Sequence, residues 1–248
     1  MARELEGRVA LVTGAGRNIG RAIALDLAAA GAAVVVNARS NRAEAEAVAT
    51  EIAAFGGRAA VALGDVTDTD AVAGMVRAAL DTFGRLDILV NNAAIRREMP
   101  FAEMDFASWR AVLDVCLDGA FHCARAALPA LRQSGRGTVI NIGGLTGHSG
   151  AANRAHVVTA KAGLAGFTRA LAHDLAADGI TVNLVAPGLI DTARNTARPH
   201  HRGGRRTLVG REGAPEEVAA AVRFLAGPHA RYITGETLHV NGRAYLPG

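Results

Sequence analysis

The stretch that most limits what this chain can become lies near its start. Val9, Leu11 and Val12 form a short apolar run, Thr13-Gly14-Ala15-Gly16-Arg17-Asn18-Ile19-Gly20 follows, and a helical pattern continues from Ala22 to Ala30. Strand, glycine turn and helix, in that order, open a dinucleotide-binding fold. The glycines let the backbone turn tightly and approach a pyrophosphate, whose charge then rests on the helix N-terminus. A glycine-rich turn by itself is a weak signal; its place directly after a strand and before a helix strengthens it.

The same rhythm continues along the chain. Strands are expected over 33–37, 59–63, 86–90, 137–142, 181–185 and 237–240, with helices over about 42–55, 69–83, 106–131, 151–177 and 215–225. Asp68 is a good N-cap for the third helix, whose Val72, Met75, Val76, Ala79 and Leu80 recur at helical spacing. Pro215 suits a first helical turn. Alternation at this spacing predicts a single doubly wound α/β domain: a seven-stranded, mainly parallel sheet with helices on both faces, and ligands at the carboxyl ends of the strands.

With 248 residues, half of them apolar, the chain can bury one sizeable core. Its two cysteines, Cys116 and Cys123, suggest neither a disulfide framework nor a zinc site, so a reducing, cytoplasmic setting is expected. No apolar run approaches the ~18 residues that span a membrane. The net charge of +4 does not argue for nucleic acid, because aromatics are only 4% and the arginines are scattered. A nucleotide or an anionic substrate accounts for that balance.

The second strand ends at Ala38-Arg39-Ser40. A carboxylate there accepts hydrogen bonds from ribose hydroxyls, whereas an arginine pairs with a 2′-phosphate. Arg39, with Arg17 as a second clamp, therefore favours NADP(H) over NAD. The plainer alternative is two solvated arginines in an arginine-rich protein.

Lys161 is the only lysine among 27 basic residues. Arginine does not replace lysine where a compact ammonium, or an amine able to lose its proton, is required. A chemical role for Lys161 is thus favoured over a chance surface position.

Thr13 to Gly20, Asn91-Asn92-Ala93-Ala94, Lys161-Ala162-Gly163-Leu164, Pro187-Gly188-Leu189-Ile190-Asp191-Thr192 and Ile233-Thr234-Gly235 together resemble the short-chain dehydrogenase/reductase family, in its 3-oxoacyl-acyl-carrier-protein-reductase-like form, over essentially the whole chain. Asn18 stands where the family usually has glycine, and asparagine tolerates a left-handed backbone better than most residues. The resemblance implies a cofactor site made of Gly14, Arg17, Asn18, Ile19, Gly20, Arg39, Ser40, Asp65, Val66, Asn92, Ala93, Lys161, Pro187, Gly188, Ile190 and Thr192. It also implies a homotetramer or homodimer paired through the two long helices.

The family's chemistry uses an Asn, a Ser, a Tyr and a Lys, with the Tyr four residues before the Lys. Here Val157 holds the Tyr position, Gly144 the Ser position and Cys116 the Asn position, so that only Lys161 remains. In the family the Tyr donates the proton to the developing alkoxide, the Ser hydrogen-bonds the oxygen, and the Lys lowers the Tyr pKa and holds the nicotinamide ribose. The resemblance thus implies that the hydride half of the machinery is intact and the acid half missing.

His148, in the loop after the fifth strand, is the better substitute acid, since an ordinary pKa near 6.5 suits the task; a solvated loop histidine is the plainer alternative. His156 is turned by about 100° from the face shared by Val157 and Lys161, which favours a packing role. Cys116, in an apolar helical stretch with no activating base, is expected to be an inert thiol. Arg96, Arg97 and Arg154, with Arg194, Arg198, His200, His201, Arg202, Arg205 and Arg206, are candidates for lining a cleft for a carboxylate or phosphate.

The leading expectation is an NADP(H)-dependent oxidoreductase with a non-standard site, acting on a small polar or anionic carbonyl, imine or conjugated alkene. The alternatives are an NADP(H)-binding sensor without turnover, or a lyase or isomerase that reuses the cleft.

Overall fold

A computed structural model describes residues 3–192 and 207–246. Arg194, Arg198, His200, His201, Arg202, Arg205 and Arg206 lie outside the described residues.

Seven strands, β1 (Val9–Val12), β2 (Ala33–Ala38), β3 (Arg58–Leu63), β4 (Ile88–Asn91), β5 (Thr138–Ile142), β6 (Thr181–Pro187) and β7 (Thr237–Val240), form one sheet in the order β3-β2-β1-β4-β5-β6-β7. All six pairings are parallel. Every residue of β1, β2, β4, β5 and β6 is buried, as expected of parallel strands covered on both faces.

Helices α1 (Asn18–Ala29), α2 (Arg42–Ala54) and α8 (Pro215–Ala226) enclose one core layer. On the other face lie α3 (Thr69–Phe83), α4 (Phe106–Leu113), α5 (Gly119–Gln133), the short α6 (Thr146–Ser149) and α7 (Ala155–Asp174). Asp68 caps α3 by accepting from the backbone N–H of Asp70 and Ala71, and the left-handed Gly84 closes the other end. Chain order reverses across the sheet between β1 and β4. That switch point opens a crevice at the strand ends, where the glycine turn lies.

Of the two long helices expected from the periodicity, the first is interrupted and the second is shorter than expected. A π turn, Asp114–Asp118, separates α4 from α5. Arg110 clamps Asp114 and Asp118 across this turn, while an added Cβ on Gly119 would lie 2.6 Å from Val66 Cγ2, so this stretch is pressed against the loop after β3. The second helix begins at Ala155 rather than Ala151, because Gly150 and Asn153 have φ of 70° and 58°. Among the described residues no helix is long and apolar enough to cross a membrane.

Candidate active site

The glycine turn is built as an anion seat. Gly14 (φ 61°) and Asn18 (φ 50°) take left-handed backbone, and an added Cβ on Gly20 would lie 2.2 Å from Gly14 O, so no side chain fits there. Arg17 occupies the N-cap of α1 without a side-chain cap bond, and the first turn of α1 has no acidic residue. The first N–H groups of α1 therefore face the crevice with the positive end of the helix dipole.

Two buried side chains hold that turn in place. Asn37 (1% exposed) accepts from Gly14 N at 3.1 Å and donates to Ala62 O and Gly64 O at 3.1 Å, tying the turn to the ends of β2 and β3. Thr13 Oγ1 accepts from Asn92 N at 2.9 Å and Ala93 N at 3.0 Å, and Asn92 Nδ2 donates to Thr13 O at 2.8 Å and Gly14 O at 3.0 Å. The Asn92 side chain is thus spent on the glycine turn. Below it, Asn91 Nδ2 donates to Asn141 Oδ1, and Asn141 Nδ2 to Thr168 Oγ1, both at 2.9 Å, linking β4, β5 and α7. Motif spacing does not show the positioning roles of Asn37, Thr13, Asn91 and Asn141; for the three asparagines the available signal is a polar residue inside an apolar strand.

Arg17, Arg39 and Ser40 are exposed at the crevice end of β1 and β2, and among the described residues neither arginine forms an ion pair. Asp65, after β3, accepts from Thr67 N at 3.0 Å, and Val66 is buried beside Gly119. At the end of β6, Pro187 O accepts from Leu145 N and Gly188 N donates to Val240 O, both at 2.9 Å. An added Cβ on Gly188 would lie 2.6 Å from Asn241 Cα, Ile190 is buried, and Thr192 follows.

Lys161 is 8% exposed, and its Nζ donates to Ile142 O at 2.6 Å, at the carboxyl end of β5. Burial pushes its pKa below the ordinary lysine value; the Cys116 thiol opposes that shift, and Arg96 and Arg154 reinforce it. Around it lie Val157, Gly144 and Cys116. Val157 (2% exposed) packs with Val112, Leu113, Cys116 and Ala160. A Cβ on Gly144 would meet nothing within 4 Å. Cys116 Sγ accepts from Ile95 N at 3.4 Å and donates to Ile95 O at 3.6 Å, which makes it a clamp on the loop after β4.

The histidines are placed differently from one another. His148, expected as the substitute acid, packs its ring against His239 of β7 (centroids 4.8 Å) and Tyr245 (6.0 Å), with Nε2 buried and without a hydrogen-bond partner. Burial, with Arg169, lowers its pKa, so the protonated fraction available for donation is smaller than for an ordinary histidine. His156 is 0% exposed, consistent with a packing role.

A family model described as enoyl-(acyl carrier protein) reductase matches residues 14–242. The chain is 43% identical over 239 residues to the 3-oxoacyl-acyl-carrier-protein reductase of Synechocystis sp., covering 96% of this chain and 97% of the relative. It belongs to the short-chain dehydrogenase/reductase family. The 3-oxoacyl-acyl-carrier-protein reductase FabG of Escherichia coli is 42% identical over 244 residues, 97% of this chain and 98% of that one. Among solved structures, a short chain dehydrogenase from Burkholderia cenocepacia in complex with NADP superposes with a TM-score of 0.91 at 37% identity, covering 97% of this chain and 99% of that one. A dehydrogenase/reductase from Sinorhizobium meliloti gives 0.93 at 37% identity, covering 99% and 98%. The family is one of oxidoreductases, and the parallel sheet with helices on both sides agrees with these neighbours.

Proposed function

We propose that this chain is an NADP(H)-dependent oxidoreductase whose site has kept the hydride-transfer half of the family's machinery and replaced the acid half. The observation that carries this reading is the contrast at Lys161: the amine is buried and aligned on β5, while the positions one helical turn earlier and across the loop are Val157 and Gly144.

The residues fit the cofactor. The uncapped N-terminus of α1 and the closed space at Gly20 accept a pyrophosphate approached by backbone alone. Arg17, Arg39 and Ser40 would take the 2′-phosphate, Asp65, Val66, Asn92 and Ala93 the adenosine side, and Lys161, Pro187, Gly188, Ile190 and Thr192 the nicotinamide side. When bound, NADPH supplies a hydride. The protein's part is to bind and orient it, to hold the glycine turn through Asn37 and Thr13, and to keep Lys161 over β5.

The substrate is a small polar or anionic molecule, a carbonyl, imine or conjugated alkene; for an imine or conjugated alkene a phenolic acid is less necessary. Assembly is as a homotetramer or homodimer. One observation favours a second reading, an NADP(H)-binding protein without turnover: Val157 and Cys116 are sealed in an apolar cluster, which leaves no phenol beside Lys161. Calorimetric titration with NADPH and NADH, followed by a panel of carbonyls, imines and enones with absorbance detection of NADPH, separates the two. Tight NADPH binding with turnover of an imine or enone supports the first reading; tight binding with no turnover on the panel supports the second.

A further inference from the structure

The segment after β7 is folded back on α6 through three rings. Val240 of β7 joins the core layer under α1, α2 and α8, so His239, one residue earlier, points to the opposite face of the sheet, where α6 and α7 lie. There its ring meets that of His148 edge-on, with centroids 4.8 Å apart. Asn241 then turns the chain: its Oδ1 accepts from Arg243 N at 2.8 Å and its Nδ2 donates to Tyr245 O at 3.3 Å, with Arg243 at φ 61°. The turn returns the Tyr245 ring to His239 (5.5 Å) and His148 (6.0 Å), so each ring packs on the other two.

Two nitrogens inside this cluster, His148 Nε2 and His239 Nδ1, are buried and have no hydrogen-bond partner. A neutral imidazole can carry its one proton on the other nitrogen, whereas an imidazolium carries a proton on both. Acid therefore creates, on either ring, a buried N–H with nothing to accept it. The surrounding charges add to that cost. Arg169 of α7 acts on His148, while Arg243 and His148 act on His239, and among the described residues no carboxylate offsets them.

Both sides of the cluster bear on the cleft. On the α6 side, Leu145 N donates to Pro187 O at 2.9 Å, and a Cβ added to Gly147 would lie 2.8 Å from Lys161 Cβ, so the residue before His148 is pressed against the Lys161 stem. On the other side, Gly188 N donates to Val240 O at 2.9 Å and abuts Asn241 Cα. We propose that His148, His239 and Tyr245 form an acid-sensitive latch: with both imidazoles neutral it holds residues 241–246 on α6 and keeps the Gly188 and Lys161 walls of the cleft in place, and protonation releases it. Its effect on the cofactor rests on the reading of those walls as the nicotinamide side; the latch itself does not. Because the closed form favours neutral rings, the latch is complete above the ordinary histidine pKa of about 6.5 and opens as pH falls below it.

Amide hydrogen exchange on the full chain, expressed as protection relative to the unstructured rate at each pH, follows the latch without cofactor. Between pH 8 and pH 5.5 the parent should lose protection about 5- to 150-fold, the equivalent of one buried donor left unpaired, at His148 N and Ala244 N, which donate to Leu145 O and Asn241 O, while β1 and β4 keep theirs. His148→Phe/His239→Phe keeps three packed rings without the titrating nitrogens and should hold protection level across that range. Tyr245→Ala removes one ring and should lower protection already at pH 8. Calorimetry reads the coupling: over the same range NADPH affinity should weaken at least about fivefold more in the parent than in the double phenylalanine variant, which carries any pH dependence of the cofactor's own phosphate.

Parent protection that stays constant down to pH 5.5 would overturn the latch even if neither variant folds, and so would an equal fall in the double variant. Equal pH dependence of NADPH affinity in parent and variant would overturn its coupling to the cleft. Failure of NADPH to bind at any pH would instead count against the cofactor reading, with the latch judged on exchange alone.

Discussion

Grafting a phenolic acid tests the proposed separation of hydride and proton machinery most directly. In Val157→Tyr/Gly144→Ser the serine Cβ meets nothing within 4 Å. Removing a glycine also restricts the unfolded chain, a gain of about 0.4–1 kcal/mol where the backbone is compatible. The tyrosine is harder to place. Val157 is 2% exposed among Val112, Leu113, Cys116 and Ala160, and enlarging a side chain in such a cluster costs about 1–3 kcal/mol unless the ring swings toward the Gly144 opening. The net change, about 0–2.6 kcal/mol, is within the ~5–15 kcal/mol stability of ordinary domains, so the variant should fold with a Tm lower by at most about 10 °C. A well-placed general acid supplies about 10²–10⁴-fold, and a small misplacement forfeits up to about 10²-fold. The expected outcome is negligible reduction of simple ketones and aldehydes by the parent and a gain of about 10- to 100-fold in kcat/KM for the double variant, measured as NADPH consumption. Brisk turnover by the parent, unaffected by His148→Ala, would refute the reasoning. So would a folded, NADPH-binding double variant with no gain.

Three further outcomes follow from the same geometry. The parent should bind NADPH more tightly than NADH, and Arg39→Asp should abolish or reverse that preference by about 1.5–3 kcal/mol, the value of one charge-assisted pair; equal parent affinities by calorimetry would remove the 2′-phosphate assignment. Lys161→Ala should weaken NADPH binding about tenfold or more with only a small change in the Tm of the free protein, and Lys161→Arg should not restore it, because the guanidinium is bulkier and stays charged; unchanged affinity in both variants would leave Lys161 without a cofactor role. His148 and His239 both have pKa values below the ordinary histidine value, chiefly through burial, so their neutral forms are favoured by folding. Their contribution to stability is complete above the ordinary value and is lost as pH falls from there toward the depressed values. Tm should therefore fall between about pH 7 and pH 5, and His148→Phe/His239→Phe should flatten that decline in differential scanning fluorimetry.

Much of this protein was legible in the residues alone, because the deciding patterns are local. Strand and helix periods are set by neighbours a few positions apart, and the glycine turn declares itself by sitting between Val12 and the helix that follows. That Val157 stands four residues before Lys161, where the family resemblance implies a tyrosine, was also readable from the sequence. Arg39 at a strand end and the solitary Lys161 were similarly visible without coordinates.

What the residues alone did not disclose depends on contacts between distant parts of the chain. Asn37 read as an ordinary strand residue, yet its amide joins Gly14 to Ala62 and Gly64 across three strands. His148 read as a loop histidine near a cleft, whereas residues about ninety positions later, His239 and Tyr245, engage its ring. The π turn at Asp114–Asp118 escapes periodicity because it goes with the close approach of Gly119 to Val66, a tertiary contact between elements far apart in sequence. The loop after β4 is tied at Ile95 to Cys116 and at Met99 to Asn153, contacts between stretches that spacing along one element does not relate. Helical and strand spacing orders side chains along a single element; which faces of different elements come together is decided by packing, and the site's charge is set there.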